Sequence, residues 1–473
     1  MENENQNEPV ISAIPLPPAV QPKAKMKWWK KILIVLFFLG VLAALAWYNL
    51  PGVLNLCCSR DSKLEDDSDL KLVKVDVPDS ENGFFDLNEI KAESVYDPPL
   101  EGRPSSQFSL SYTYYGNPTP EPWNQQLVDE ILAKNQPALD LFSAAAQKKS
   151  FQIPSFADPS AVDRNSAFIA MNSWRQLSRL QAIRALSFSY QGKTDEALEA
   201  AVNISELGHK IVNSNTEPVG GLVGISMLNL GAQTILKILP YATISTTTLE
   251  GIAGRLQIAS NNKTGYQNMY KFDYQYQISD LPAQMKEALD SALADAKDEK
   301  TKKVLTNLYK PGFYYKPNES RNLYATLTRA RIKGINNCSN DSFIENLYLQ
   351  SQILQPRAKY TENAVGKTFF ITFLLSSGYK TVYCRADMLN NVVLAELAIK
   401  NYKTQNGKLP NQLSDLFPNY LQELPADPYN RQTLHYNSQK QILYSVGQNG
   451  KDLGGSEGAD WTQMENPTFK IGF

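Results

Sequence analysis

The chain has 473 residues, a length that suits two or three folded units. Its 47 basic and 48 acidic side chains leave a net charge of −1, which excludes the electropositive footprint of a general nucleic-acid binder. Four cysteines are too few for a disulfide scaffold. With His209 and His435 as its two histidines, the chain is poorly equipped for His-based zinc sites and for Ser-His or Cys-His catalysis.

Residues 1–27 are rich in Pro, Asn and Glu and read as a disordered cytoplasmic tail. Residues 28–50 are predicted to be a transmembrane helix. Within them, 32–48 (ILIVLFFLGVLAALAWY) carry no charge and cover roughly 26 Å at about 1.5 Å per residue. Trp28 and Trp29 flank one end, and Trp47 and Tyr48 the other, as in an aromatic belt. A cleaved signal peptide is the rival reading, but no small-x-small site follows the run cleanly. Lys23, Lys25, Lys27, Lys30 and Lys31 precede the span, whereas Arg60 and Lys63 follow it. The positive-inside rule therefore places the N-terminus in the cytoplasm and the bulk outside it.

Residues 51–120 read as an acidic, Pro-rich tether, with irregular structure from 84 to 122. Helical periodicity governs 121–360, an expected α-helical domain. Pro122 is placed near the first helix start, followed by Leu127, Ile131, Leu132, Leu139 and Leu141. Phe168, Met171, Trp174, Leu177, Leu180, Ile183 and Leu186 recur every three or four residues, predicting an amphipathic helix over 164–190. The chain turns at Gly192 into a second helix. Tyr190, Gly192 and the DEAL of Asp195–Leu198 resemble one tetratricopeptide-type hairpin, but no recurrence at about 34 residues supports an array. Further helices are expected near 218–239, 246–275, 281–308 and 319–334.

Several motifs fail on inspection. AVGKT at 364–368 lacks the first glycine of a phosphate-binding loop, because Thr361 stands there. The sequons at Asn203, Asn262, Asn318, Asn337 and Asn340 are about what an Asn- and Ser-rich chain yields by chance. Asp273 and Asp280 are of the type a hydrolase pairs, but without convergent partners they read as solvated surface residues. Cys338 and Cys384 leave two states open, a bridge in an oxidising compartment or two buried thiols.

Residues 361–473 are expected to form an α+β module. FFITFLLSSG at 369–378 is too short to span a bilayer. Ala386, Leu389, Val393 and Leu397 share one face of a helix over 381–404, which Asn406-Gly407 ends. Strands are predicted at Thr433–Tyr436 and Gln441–Tyr444, turned by Asn437–Lys440. The text then reads YSVGQNGKDLGG over 444–455, with glycines at 447, 450, 454 and 455.

The long helix, NGKLP, LPADPYN and the hairpin ending in YSVGQNGKDLGG resemble the C-terminal half of a type II secretion major pseudopilin, over about residues 380–465. The resemblance implies a small antiparallel sheet and a loop that holds calcium. Here the ligands would be Asn449, Asp452 and Asp460, with backbone carbonyls near Ser445 and Val446. Asn449 stands where the family has Asp, and Ala459 replaces the first acid of its DD pair, so two negative charges are lost. A Gly-rich turn held by its own hydrogen bonds is the alternative. FFITFLLSS resembles a vestige of the family's N-terminal helix, packed into the α domain.

The expected whole is mainly α with a C-terminal α+β module. It is a single-pass protein of the bacterial inner membrane with its bulk extracytoplasmic. A structural or interaction role with other envelope proteins is expected, with no nucleic-acid partner, no catalytic residues and calcium as the sole candidate cofactor. An envelope hydrolase and a polymer-binding module, the latter suggested by 24 tyrosines, are the alternatives.

Overall fold

The computed structural model of the chain describes residues 60–91, 94–97, 123–157, 164–279, 281–339, 361–376, 379–456, 462 and 465–473. The apolar run at 32–48, Pro122, Asp280, Asn340 and Asp460 lie outside them. The described chain is mainly helical, with one small three-stranded antiparallel sheet near the C-terminus.

The helices are α1 (Gly83–Asn88), α2 (Gln125–Gln147), α3 (Arg164–Tyr190), α4 (Thr194–Asn213), α5 (Pro218–Ile238), α6 (Thr246–Ala259), α7 (Lys263–Ser279), α8 (Leu281–Asp295), α9 (Glu299–Leu308), α10 (Pro317–Gly334), α11 (Ala364–Ser376) and α12 (Tyr379–Asn406). The stripe read along 164–190 is a core face: Met171, Trp174, Leu177, Leu180 and Ile183 are buried. Ala197 and Leu198 of DEAL are buried in turn, so α3 and α4 form the expected hairpin around Gly192. Helices α4 and α5 pack most intimately. A Cβ at Gly208 would meet the carbonyl oxygen of Gly224 at 2.6 Å, and only glycine permits that approach. Helix α5 is long and apolar enough to cross a membrane by composition, but it is mostly buried and serves as the central core helix.

Two predicted helices are each split. The run 246–275 breaks at Ser260–Asn262, where the buried Asn262 donates to the Ala259 carbonyl at 2.8 Å and accepts from Asn213 Nδ2 at 3.0 Å. The run 281–308 breaks before Asp298, whose carboxylate caps α9 by accepting from Thr301 N at 2.8 Å. Both side chains offer the backbone a non-helical partner, which hydrophobic spacing alone does not reveal.

The segment expected as a tether is docked from residue 60 onward. Asp61 accepts from the backbone N–H groups of Asn318 (2.8 Å) and Glu319 (3.0 Å), capping α10 from outside its own sequence. Asn322 accepts from Glu65 N and donates to the Lys63 carbonyl. Asp67 pairs with Arg321 at 2.6 Å and accepts from Tyr274 Oη at 2.8 Å; Asp69 pairs with Arg329 at 2.7 Å. Leu70 is buried among the side chains of α7, α8 and α10. Residues 60–70 are thus a strap along α10. Beyond it, α1 stands in a stretch read as irregular and packs on α2.

The boundary expected at 361 is not a boundary between cores. Helix α12 packs against α5 and α6, and one apolar cluster runs from Ala185 of α3 through α4, α5, α6 and α12 to Phe469 and Ile471 of the sheet region. Helix α11 packs on α10, with Phe370 and Ile371 buried, so this apolar stretch belongs to the helical body.

Candidate functional site

The sheet positions the first candidate. Strand β1 (His435–Asn437) pairs with β2 (Ile442–Tyr444), and β2 pairs with β3 (Thr468–Lys470), all antiparallel. The hairpin was legible within two residues; β3, three residues long, was not. Asn437 Oδ1 accepts from Lys440 N at 2.9 Å and closes the turn. In LPADPYN, the Asp427 side chain is fully buried and accepts from Tyr429 N (3.0 Å) and Val446 N (2.8 Å). Burial pushes this carboxyl up, while the two backbone amides pull it down. Asp427 therefore pins the turn to the exit of β2.

After Val446 the chain enters the glycine-rich loop. Gly447, Gly450, Gly454 and Gly455 have φ of 68°, 68°, 81° and 72°, the left-handed region that a Cβ disfavours. The backbone turns inward around one side chain, Asn466. Its Nδ2 donates to the carbonyls of Lys451 (2.7 Å) and Val446 (3.2 Å), and its Oδ1 accepts from Leu453 N (2.8 Å). Thr468 Oγ1 takes Ser456 N at 2.8 Å and donates to the Asn466 carbonyl. Sequence reasoning missed Asn466; the Asn-Pro pair at 466–467 signals a turn, but nothing local says that its amide clasps a loop thirteen or more residues earlier.

The expected ligands are placed as follows. Asn449 Oδ1 accepts from Lys451 N at 2.9 Å. Asp452 Oδ1 accepts from Gly454 N at 2.8 Å, and its Oδ2 lies 3.5 Å from His435 Nδ1. The His435 ring stacks on Tyr444, with centroids 4.8 Å apart. Burial, and then the charge of Asp452, push the Tyr444 phenol up to about 12. Ser445 is buried; its Oγ accepts from Gly447 N at 3.0 Å. Among the described residues, no three His, Cys, Asp or Glu side chains converge as metal ligands.

A second cluster lies along α7. Asp273, expected as a solvated acid, is buried and accepts from Tyr324 Oη of α10 at 3.0 Å. One turn away the Arg331 guanidinium sits 5.4 Å from the Tyr270 ring. Tyr266 donates to Asp387 of α12 at 3.0 Å and stacks on Tyr383 at 4.5 Å. Burial pushes the Asp387 carboxyl up to about 7, although the Tyr266 hydroxyl opposes that. With Tyr274 holding Asp67, helix α7 uses three tyrosine or aspartate contacts to bind α10, α12 and the strap. Each of these acids accepts from a tyrosine hydroxyl of a neighbouring element, and Asp67 pairs with Arg321 as well.

The hairpin surface is partly covered. Glu199, Asn203 and Glu206 of α4 converge on Arg255 of α6, with Arg255 Nη2 2.8 Å from Glu206; the two carboxylates raise the guanidinium further above its ordinary value. The sequon residues Asn203 and Asn262 are buried, which leaves no room for a glycan on either. Cys338, just past α10, is disulfide-bonded to Cys384 of α12, with Cα atoms 5.7 Å apart. Comparison of the chain with protein-family models, with characterised proteins and with solved structures returns no match.

Proposed function

We propose that this chain is a single-pass membrane-anchored protein whose bulk lies outside the cytoplasm, with a structural or interaction role in the bacterial envelope. The observation that carries the reading is the Cys338–Cys384 disulfide, because such bonds persist in oxidising compartments and are rare in the cytosol. It agrees with the lysine-flanked apolar run at 32–48, read from sequence alone.

The strap gives the proposal a geometry. Ten peptide steps separate Leu50 from Arg60, a reach of at most about 35 Å. Since the strap is fastened to the start of α10 from Asp61, that end of the body would be held near the bilayer, and the sheet would project according to the rigid core it shares with α5, α6 and α12. A structural role is supported by the use of Asp273, Asp387 and Asp67 to tie helices and strap together through Tyr324, Tyr266 and Tyr274. The tyrosines that suggested a polymer-binding groove, among them Tyr266, Tyr270, Tyr274, Tyr324 and Tyr383, are buried and serve packing.

The test is a pair of C-terminal fusions to the full chain. Alkaline phosphatase, active only where disulfides form, is expected to be active, and a fluorescent protein that matures only in the cytoplasm is expected to be dark. An inactive phosphatase with a bright fluorescent fusion would overturn the proposal.

A further inference from the structure

We infer that the glycine-rich loop is a metal-independent clasp, in which the Asn466 carboxamide takes up the inward carbonyls of the loop, among them that of Val446, which the pseudopilin resemblance assigns to calcium. The inference does not depend on where the protein resides.

Calcium requires six to eight oxygens in one shell, commonly backbone carbonyls with carboxylates. The loop does turn carbonyls inward, as its four left-handed glycines allow. Those of Val446 and Lys451 meet an N–H donor rather than a void: both hydrogens of Asn466 Nδ2 are used on them, at 3.2 and 2.7 Å. Each of these oxygens already spends one of its two lone pairs on the amide, and a cation seated between them would have to take the place where the Nδ2 group stands. The other end of the carboxamide is also engaged, with Leu453 N donating to Oδ1 at 2.8 Å. Asn466 is 4 % exposed, so water does not readily replace these bonds.

Of the expected side-chain ligands, Asp460 lies outside the described residues and the other two are turned elsewhere. Asn449 and Asp452 each accept from the backbone N–H two residues on, fixing local turns. The second Asp452 oxygen faces His435. Each of these oxygens stabilises the loop without metal. Asn449 is neutral and Ala459 has no side-chain oxygen, so neither brings a carboxylate to the loop. Asn466 itself sits at φ 49°, a conformation Asn tolerates better than most residues, so its backbone and side chain are both suited to the place.

The experiment is thermal unfolding of the detergent-solubilised full chain, in chelator and in millimolar calcium, alongside calorimetric calcium titration. The wild type should melt at one temperature in both conditions and release no binding heat. Asn466→Ala should melt about 3 °C lower, with calcium restoring none of the loss. Should that variant fail to fold, hydrogen exchange of wild type in chelator reads the same point: the Leu453 amide is expected to be protected, and calcium to leave its rate unchanged. Saturable heat with a calcium-dependent rise in melting temperature, both lost in Asp452→Ala, would overturn the inference. So would a Leu453 amide that exchanges freely in chelator and slows when calcium is added.

Discussion

Removing the Cys338–Cys384 bridge by the double substitution Cys338→Ala and Cys384→Ala tests the link between redox compartment and fold. The bond joins residues 46 positions apart. A crosslink closing a loop of that size lowers the entropy of the unfolded chain by an amount equivalent to about 4 kcal/mol at 25 °C. Both cysteines are buried in the cluster shared by α5, α6 and α12, and the loss of two sulfurs from that core adds to the cost. With an unfolding entropy of about 2.1 cal/mol/K per residue, a cooperative body of about 400 residues should melt about 5 °C lower. The assay is scanning calorimetry of the solubilised full chain, with peptide mapping without reductant to show the two cysteines linked in the wild type. A double variant that melts within about 1 °C of the wild type would refute the reasoning, because it would mean the bridge constrains nothing that unfolding releases.

Other perturbations separate the strap, the core and the loop. Burial pushes the Asp67 carboxyl up, but Arg321 and Tyr274 outweigh it and hold the group below its ordinary value of 3.8. A lowered folded value means that its stabilisation is complete above 3.8 and lost as pH falls through the folded value. Asp67→Asn should therefore cost about 2 kcal/mol near neutrality, discounted for the partly exposed Arg321, and speed proteolysis within residues 60–70. An unchanged cleavage rate would argue that the strap is not fastened there. Glu396 of α12 is buried, and burial pushes its carboxyl up to about 8, with Lys400 pulling it down only in part. A raised folded value means stability is complete below the ordinary 4.5, declines as pH rises and is lost through about 8. Glu396→Gln should flatten that decline and stabilise the protein by roughly 3 kcal/mol at alkaline pH, measured by denaturant unfolding at several pH values; a variant with the wild-type slope would count against it. In the loop, Gly450→Ala should cost about 1 kcal/mol, since φ is 68° and nothing lies near its Cβ. Gly455→Ala should cost about 2 kcal/mol, because its Cβ would also press on Ile442 and Tyr444 at 3.0 and 3.1 Å. Equal losses in the two would show that the packing adds nothing.

The parts of the fold that were legible in sequence share one property: their partners are near in sequence or their spacing is periodic. Met171, Trp174, Leu177, Leu180 and Ile183 announce α3 by spacing alone, and Asn406-Gly407 marks the end of α12 through turn chemistry. The strap was not legible, because Asp61, Asp67 and Asp69 look like solvated tether residues until Asn318, Arg321 and Arg329, some 250 positions away, meet them. Asp273 misled for the same reason, its partner Tyr324 lying on another helix. The division at residue 361 followed the resemblance of the tail to a separate module, whereas the apolar face of α12 is buried against α5 and α6 as part of the helical body. In the candidate site the glycines mark a tightly turned loop, and their left-handed φ turns its carbonyls inward, but the group they wrap, Asn466, comes from the far side of the loop.

Protease protection tests the central claim most directly. The full chain, tagged at its N-terminus, is treated with protease in intact spheroplasts and after lysis. The account predicts that digestion proceeds in intact spheroplasts and leaves a short tagged fragment comprising the tail and the apolar run. A full-length chain that resists protease until the membrane is broken, in spheroplasts where a known extracytoplasmic protein is digested, would contradict it.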